Sequence, residues 1–208
     1  MLTEVLGKAD EVYAWSNEVN YFEHTKQVRA DMAGSRREQV DAVIDLLRKK
    51  GAGELETESP QQIQQAMLAE LESDAAAVGD LDALYRLGMQ MLARMHGASR
   101  WAQKATSYVF HVERILQLFR EVRFVFLMRN PYDLSASMKR RGKWKGVFRN
   151  IWGWTRGAKL AAEYEKRYPN NFSVVRYEDL VRFPAETLPE VCEFVRIEFN
   201  ERLLEALQ

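Results

Sequence analysis

The fold is decided by residues 124–137, which read FVFLMRNPYDLSAS. The first five of these residues are apolar without alternation, a pattern typical of a parallel strand covered on both faces. Asn130 is a favourable helix N-cap and Pro131 fits the first helical position, so the strand is predicted to turn directly into a helix. Arg129 then lies at the carboxyl end of the strand, which is where open α/β sheets bind their ligands.

The arginine at this turn predicts an anion site. Its planar guanidinium can donate to two oxygens of one phosphate. Ser137 follows about two helical turns later and can add a hydroxyl donor. On spacing alone, the alternative is an ion pair of Arg129 with a carboxylate and a Ser137 that faces solvent.

Strands and helices alternate in the back half of the chain. Residues 172–177 form a second candidate strand, and they follow a helical stretch at residues 160–168. This alternation predicts an α/β domain with a parallel sheet. The front half reads as three helices, the last ending near Gly97. Their start signals are the capping box Ser35-Arg36-Arg37-Glu38, the pair Ser59-Pro60, and Asp80.

Charge is distributed unevenly along a chain that is neutral as a whole. Thirty Lys and Arg balance thirty Asp and Glu, which argues against a general nucleic-acid binder. Residues 1–99 carry a net charge of −7, residues 100–182 carry +11, and residues 183–208 carry −4. The basic middle suits an anionic ligand.

The densest part of the basic middle, residues 139–149, holds six basic side chains interleaved with aromatic ones. This run indicates either electrostatic steering or a solvated loop, with a nucleic-acid surface as a further alternative.

The cysteine, histidine and apolar residues of the chain bear on disulfides, metal sites and membrane spans. Cys192 is the single cysteine, so no internal disulfide can form, and its apolar neighbours indicate a buried thiol. No stretch approaches the roughly 20 apolar residues that span a bilayer, and the first residues lack a signal-peptide pattern. His24, His96 and His111 lack metal-ligand spacing, so no metal site is predicted. The expected location is the cytoplasm.

Several segments, taken in order, resemble the sulfotransferase family. The pattern Arg-x-Pro-x-Asp-x-x-x-Ser from Arg129 to Ser137 is similar to the 3′-phosphate-binding element of enzymes that use 3′-phosphoadenosine 5′-phosphosulfate (PAPS). Residues 101–106 (WAQKAT) resemble the family's Trp-x-Glu/Asp-Lys-Thr-Pro segment, with Ala-Thr in place of Thr-Pro. The resemblance covers residues 18–204 and is strongest from residue 101 onward. Its other segments are residues 18–22 (EVNYF), 175–181 (VRYEDLV) and a closing helix within 188–204.

The resemblance implies both a fold and an activity. The fold would be a three-layer α/β domain of the P-loop NTPase-like type, with helices flanking a parallel sheet, in a single domain over residues 1–208. Residues 1–99 would form its helical front, and residues 100–208 its PAPS-binding part. The activity would be transfer of a sulfuryl group from PAPS to a hydroxyl or amine of a small-molecule, carbohydrate or protein acceptor, without a metal.

The resemblance also implies roles for individual residues in binding the nucleotide. Arg129 and Ser137 would hold the 3′-phosphate. Tyr177 would lie near the adenine, with packing in the core as its alternative role.

Two further residues are implied in catalysis. Lys104 would place its ammonium near the sulfonate being transferred, and Glu18 would act as the general base. His24 is the second candidate for the base, because an imidazole titrates near neutral pH. For Lys104 and Glu18 alike, a solvated surface side chain is the alternative.

One defining family element has no match in the sequence. The glycine-rich Gly-x-Pro-Arg-Ser-Gly-Thr segment, which holds the 5′-phosphosulfate, is not found among the 208 residues, so the fold is expected to be incomplete at its N-terminus. Two interpretations follow. One is a sulfotransferase, either divergent or with this element encoded upstream of Met1. The other is a non-catalytic domain that binds an adenosine 3′-phosphate or another polyanion. An open sheet edge would also favour pairing with a second copy.

Overall fold

The computed structural model describes residues 1–15, 21–22, 35–50, 60–73, 81–119, 121–140 and 147–207. Their contacts group them into two units, Met1–Tyr108 and Val109–Gln208. The sequence-based division of a single domain at residue 99 stays a prediction. None of the described helices is long and apolar enough to cross a membrane.

The described part of the first unit combines helices with a pair of parallel strands. Val12 lies opposite Arg100, and Trp15 lies opposite Gln103. The elements are α1 (Leu2–Leu6), β1 (Val12–Trp15), α2 (Arg36–Lys50), α3 (Pro60–Ser73), α4 (Leu81–Met95) and β2 (Arg100–Gln103).

The three helices predicted for the front half are confirmed as α2, α3 and α4. At the start of α2, the Glu38 carboxylate accepts the Ser35 backbone N–H at 2.6 Å and the Ser35 hydroxyl at 2.8 Å. These hydrogen bonds lower the pKa of Glu38. The third helix begins with Pro60, and α4 stops before Gly97, whose φ of 73° lies in the left-handed region that favours glycine.

Strand β1 was not predicted from the sequence. It contains only the four residues Val-Tyr-Ala-Trp, and three of their side chains are buried. A short run buried on both faces shows neither the alternation of a half-exposed strand nor enough length to be told from a helix. The pairing with β2, almost ninety residues later in the chain, is what makes these residues a strand.

Polar groups are buried in pairs within the first unit. The Tyr21 hydroxyl donates to the Asp82 carboxylate at 2.6 Å, and the Tyr85 hydroxyl donates to the Gln103 side chain at 2.6 Å. The Gln103 amide in turn donates to the Tyr108 hydroxyl at 2.7 Å. Tyr21 and Tyr85 stack with ring centroids 3.9 Å apart, and burial raises the pKa of Tyr85 well above its usual value. The network includes Gln103, the last residue of β2, which directly precedes Lys104.

The Tyr21→Phe substitution is expected to lower the free energy of unfolding by about 1–3 kcal/mol, because the buried Asp82 carboxylate loses a hydrogen bond while the ring stack is kept. Urea denaturation measures the change. Tyr132→Phe is the matched control: Tyr132 is 81% exposed, so its effect should stay within about 0.5 kcal/mol. Equal effects of the two substitutions would contradict a stabilising role for the buried pair.

The second unit contains the strand and helix on which the fold prediction was centred. Strands β3 and β4 are parallel, with Phe124 opposite Phe172 and Met128 opposite Arg176. The elements are α5 (Val112–Leu118), β3 (Phe124–Met128), α6 (Pro131–Arg140), α7 (Val147–Arg167), β4 (Phe172–Arg176), α8 (Tyr177–Arg182), α9 (Pro184–Val195) and α10 (Glu201–Glu205). The predicted α/β class with parallel strands is confirmed.

The core of the second unit forms where α5 and α7 cover one face of the β3–β4 pair. Phe172 is 2% exposed and lies at its centre, with ring centroids 5.7 Å from Tyr164, 5.8 Å from Phe124 and 6.3 Å from Phe126. Val112 of α5 and Ala161 of α7 belong to the same buried cluster. Cys192 is buried in α9, as predicted.

Strand β3 differs from the expectation in one respect. A strand covered on both faces was expected, yet all five of its side chains are only half-buried. Phe124 and Phe126 pack against the core cluster, and among the described residues β3 has a single neighbouring strand, β4. The described residues therefore cover only part of the apolar surface that β3 presents.

Candidate functional site

The candidate site is built on the turn that joins β3 to α6. The Asn130 side-chain oxygen accepts the Tyr132 backbone N–H at 2.9 Å, and Pro131 occupies the first position of the helix. The predicted N-cap is thereby confirmed. Because Asn130 and Pro131 end the strand sharply, Arg129 is held between the last residue of β3 and the first turn of α6.

Strand register brings Arg129 to Tyr177. Met128 and Arg176 are partners at the carboxyl ends of two parallel strands, so the residues that follow them leave the sheet side by side. The Arg129 guanidinium carbon lies 4.6 Å from the centroid of the Tyr177 ring, a cation–π contact. Two residues predicted to bind the same nucleotide are thus in contact.

The Arg129 side chain is half-buried and incompletely partnered. Its Nε atom is buried and has no hydrogen-bond partner among the residues that the structure describes. A buried donor without an acceptor is uncommon, because leaving it unpaired costs about 1–3 kcal/mol. The guanidinium is therefore suited to an added acceptor such as a phosphate oxygen.

Two residues that the sequence did not single out for this site contact the same turn. The Trp154 indole N–H donates to the Arg129 carbonyl at 2.9 Å, and a Glu178 carboxylate oxygen accepts the Asn130 N–H at 2.8 Å. The hydrogen bond from Asn130 lowers the pKa of Glu178, and the nearby Arg176 and Arg129 charges lower it further. Glu178 was within reach of sequence reasoning, since it follows Tyr177 in a recognised motif. Trp154 carried no such signal in the sequence.

Of the other predicted site residues, the structure describes Ser137 and Lys104. Ser137 is half-buried in α6, while the hydroxyl of its neighbour Ser135 donates to the Pro131 carbonyl at 2.7 Å. Lys104 directly follows β2 in the first unit, and its side chain is exposed. Glu18 and the alternative base, His24, fall outside the described residues.

The remaining histidines have local contacts. His96 stacks on Tyr13 with centroids 4.3 Å apart, and its Nδ1 lies 2.8 Å from the Leu92 carbonyl. His111 is the residue before α5. Within the described ranges, no group of three or more His, Cys, Asp or Glu side chains is arranged to hold a metal ion.

The basic run is only partly described. Lys139 and Arg140 are exposed at the end of α6, and α7 begins at Val147. On α7, the Arg156 guanidinium lies 5.6 Å from the ring of Trp152, which is 65% exposed. Within the run itself, the described side chains are therefore those of Lys139 and Arg140, both basic.

The fold has known counterparts among solved structures. Similar folds occur in the "Sulfotransferase Domain from the Curacin Biosynthetic Pathway", at 19% identity and a TM-score of 0.65, and in the "Sulfotransferase Domain from the Synechococcus PCC 7002 Olefin Synthase", at 19% identity and a TM-score of 0.61. The first match covers 100% of this chain and 72% of the solved one, and the second covers 98% and 70%. The architecture is therefore that of a sulfotransferase domain.

The sequence comparison gives the family. The sequence profile of the sulfotransferase family matches residues 1–201, so the chain belongs to the sulfotransferase family. A comparison with curated proteins gave no significant match. The resemblance inferred from the ordered motifs is confirmed, and the family supports a transferase that uses a sulfuryl donor.

Proposed function

We propose that the chain is a PAPS-dependent sulfotransferase whose Arg129 turn binds the 3′-phosphate of the donor. The observation that carries the proposal is the contact between Arg129 and Tyr177 at the carboxyl ends of β3 and β4. This edge is where α/β sheets of this kind bind ligands. Family membership supports a sulfuryl donor, and the chemistry of the turn favours one that carries a phosphate.

The residues at the turn fit such a donor. The unpartnered Arg129 Nε and the fork of the guanidinium suit an oxyanion better than a single carbonyl. Ser137 would add a hydroxyl donor from α6, and Tyr177 would border the adenine while keeping Arg129 in place. Lys139 and Arg140, both exposed, would raise the local concentration of an anionic nucleotide.

PAPS supplies the sulfuryl group, which moves to the acceptor oxygen or nitrogen while its bond to the 5′-phosphate breaks. The role of the chain in this step would be positioning and charge stabilisation. Glu18 would take the proton of the acceptor. Lys104 would offset the negative charge that develops on the leaving phosphate.

Calorimetry with two ligands tests the donor assignment. The chain is expected to bind 3′-phosphoadenosine 5′-phosphate more tightly than adenosine 5′-phosphate, because the ligands differ only in the group assigned to Arg129. The expected ratio is about 10- to 150-fold, which corresponds to a hydrogen bond between charged groups. Equal dissociation constants would contradict the assignment.

A non-catalytic nucleotide-binding domain is the second candidate function. It rests on the same Arg129 turn and omits the transfer step. Turnover separates the two functions: a sulfotransferase releases 3′-phosphoadenosine 5′-phosphate from PAPS when acceptors are added, faster than from PAPS alone. Tight binding of the nucleotide without acceptor-dependent release over a panel of hydroxyl and amine acceptors would favour the binding domain.

A further inference from the structure

We propose that Trp154 and Glu178 are positioning residues that hold the peptide group between Arg129 and Asn130, and so aim the Arg129 guanidinium. The inference rests on the proposed phosphate-binding role of Arg129. It assigns a task to two side chains that neither the motifs nor the family explain.

The evidence is that both polar atoms of one peptide group are bound by side chains. The carbonyl oxygen of this peptide belongs to Arg129 and accepts the Trp154 indole N–H at 2.9 Å. Its N–H belongs to Asn130 and donates to Glu178 at 2.8 Å. The two side chains come from different elements, since Trp154 lies within α7 and Glu178 is the second residue of α8.

Fixing both atoms fixes the direction of the chain at the turn. A peptide group is planar, so binding its oxygen and its N–H sets ψ of Arg129 and φ of Asn130 together. β3 ends at Met128 and α6 begins at Pro131, so this peptide lies between the two elements. The hydrogen bonds of Trp154 and Glu178 therefore fix this peptide group, as backbone hydrogen bonds fix the peptide groups within a strand or helix.

The presence of a carboxylate so close to a phosphate site strengthens the inference. Glu178 interacts electrostatically with Arg129, and its negative charge would repel a bound phosphate. A charge role alone would thus weaken binding. Holding the Asn130 N–H is the task that gives the side chain a favourable part in the site.

Two substitutions of Glu178 separate positioning from charge. Glu178→Gln keeps an oxygen that accepts the Asn130 N–H and removes the charge, so affinity for 3′-phosphoadenosine 5′-phosphate should be unchanged or higher. Glu178→Leu removes both, and affinity should fall on the order of tenfold as the turn loses its hydrogen bond. If Glu178 acted through charge alone, both substitutions would raise the affinity.

Trp154→Phe tests the other side of the peptide. It removes the indole N–H and keeps an aromatic ring, so affinity should fall about two- to tenfold. Trp152→Phe is the matched control, because Trp152 lies two residues earlier on α7 with 65% of its surface exposed. Glu165→Leu is the control for Glu178→Leu: Glu165 also accepts a backbone N–H, from Val174 at 2.8 Å, at a distance from the turn. Neither control should change affinity.

A readout without ligand keeps the two proposals distinguishable. Hydrogen exchange at the Asn130 amide should be slow in the wild type and in Glu178→Gln, and faster in Glu178→Leu. Faster exchange with unchanged affinity in Glu178→Leu, while Arg129→Ala loses affinity, would overturn the positioning role and leave the phosphate assignment standing. If Arg129→Ala and both positioning variants bind like the wild type, the phosphate assignment and the positioning role both fail. Unchanged exchange in Glu178→Leu would also overturn the positioning role.

Discussion

Arg129→Ala is expected to abolish the preference for 3′-phosphoadenosine 5′-phosphate over adenosine 5′-phosphate. The substitution removes the guanidinium that lies against Tyr177 and that has a buried Nε without a partner among the described residues. Affinity for the 3′-phosphorylated ligand should fall about 10- to 150-fold, as expected for loss of hydrogen bonds between charged groups. Affinity for adenosine 5′-phosphate should stay nearly constant, since that ligand lacks the group Arg129 would bind. Calorimetry with both ligands measures the two effects.

The second unit offers a closely matched control. Arg167 also lies over a tyrosine, with its guanidinium carbon 5.2 Å from the Tyr168 ring, and it pairs with Glu113. It sits at the end of α7 before β4 begins, whereas Arg129 follows the end of β3. Arg167→Ala should leave the preference intact. A similar loss in both variants would mean that general positive charge, not the Arg129 turn, selects the ligand.

Arg129→Lys sharpens the same prediction. Lysine keeps the charge and loses both the planar fork and the flat stacking surface. The preference should fall to a value between that of the wild type and that of Arg129→Ala. A lysine variant equal to the wild type would indicate that Arg129 acts only as a point charge.

The turn itself could be predicted because its determinants are local. The end of β3, the Asn130 cap and the position of Pro131 depend on neighbours within a few residues, and the structure confirms them. Predicting the contact of Arg129 with Tyr177 required non-local information as well. It depends on the parallel pairing of two strands, and this pairing became predictable only because a recognised motif follows each strand.

The parts that escaped prediction depend on packing between distant elements. The Trp154 hydrogen bond depends on the rotation of a 21-residue helix over the sheet, and one aromatic residue among several on that helix does not reveal which of them points to the turn. Strand β1 was missed because four apolar residues carry too little periodicity. Glu178 was recognised as part of a motif, and only its partner, the N–H of Asn130, shows its task.

Phe172→Ala is expected to have the largest effect on stability. Phe172 is 2% exposed and packs between β3 and α7, in contact with Phe124, Phe126 and Tyr164. Truncating a buried phenylalanine costs about 3–5 kcal/mol through lost burial and the cavity left behind. This is a large share of the roughly 5–15 kcal/mol that typically stabilises a folded domain. Urea denaturation followed by circular dichroism should show the transition of the variant at a markedly lower concentration.

The same substitution tests whether the core and the candidate site can be separated. Phe172 begins β4 and Tyr177 follows its end, so about 16 Å of strand lies between them. The folded fraction of Phe172→Ala should therefore bind 3′-phosphoadenosine 5′-phosphate with nearly wild-type affinity. Saturating ligand should also raise the urea midpoint of this variant, because a ligand that binds the folded state stabilises it. Phe183→Ala is the control, because Phe183 is 53% exposed and its truncation should change the free energy of unfolding by no more than about 0.5 kcal/mol. Equal destabilisation by both substitutions would contradict the central place of Phe172 in the core. A folded Phe172→Ala protein without ligand affinity would show instead that the Arg129 turn depends on the whole length of β4.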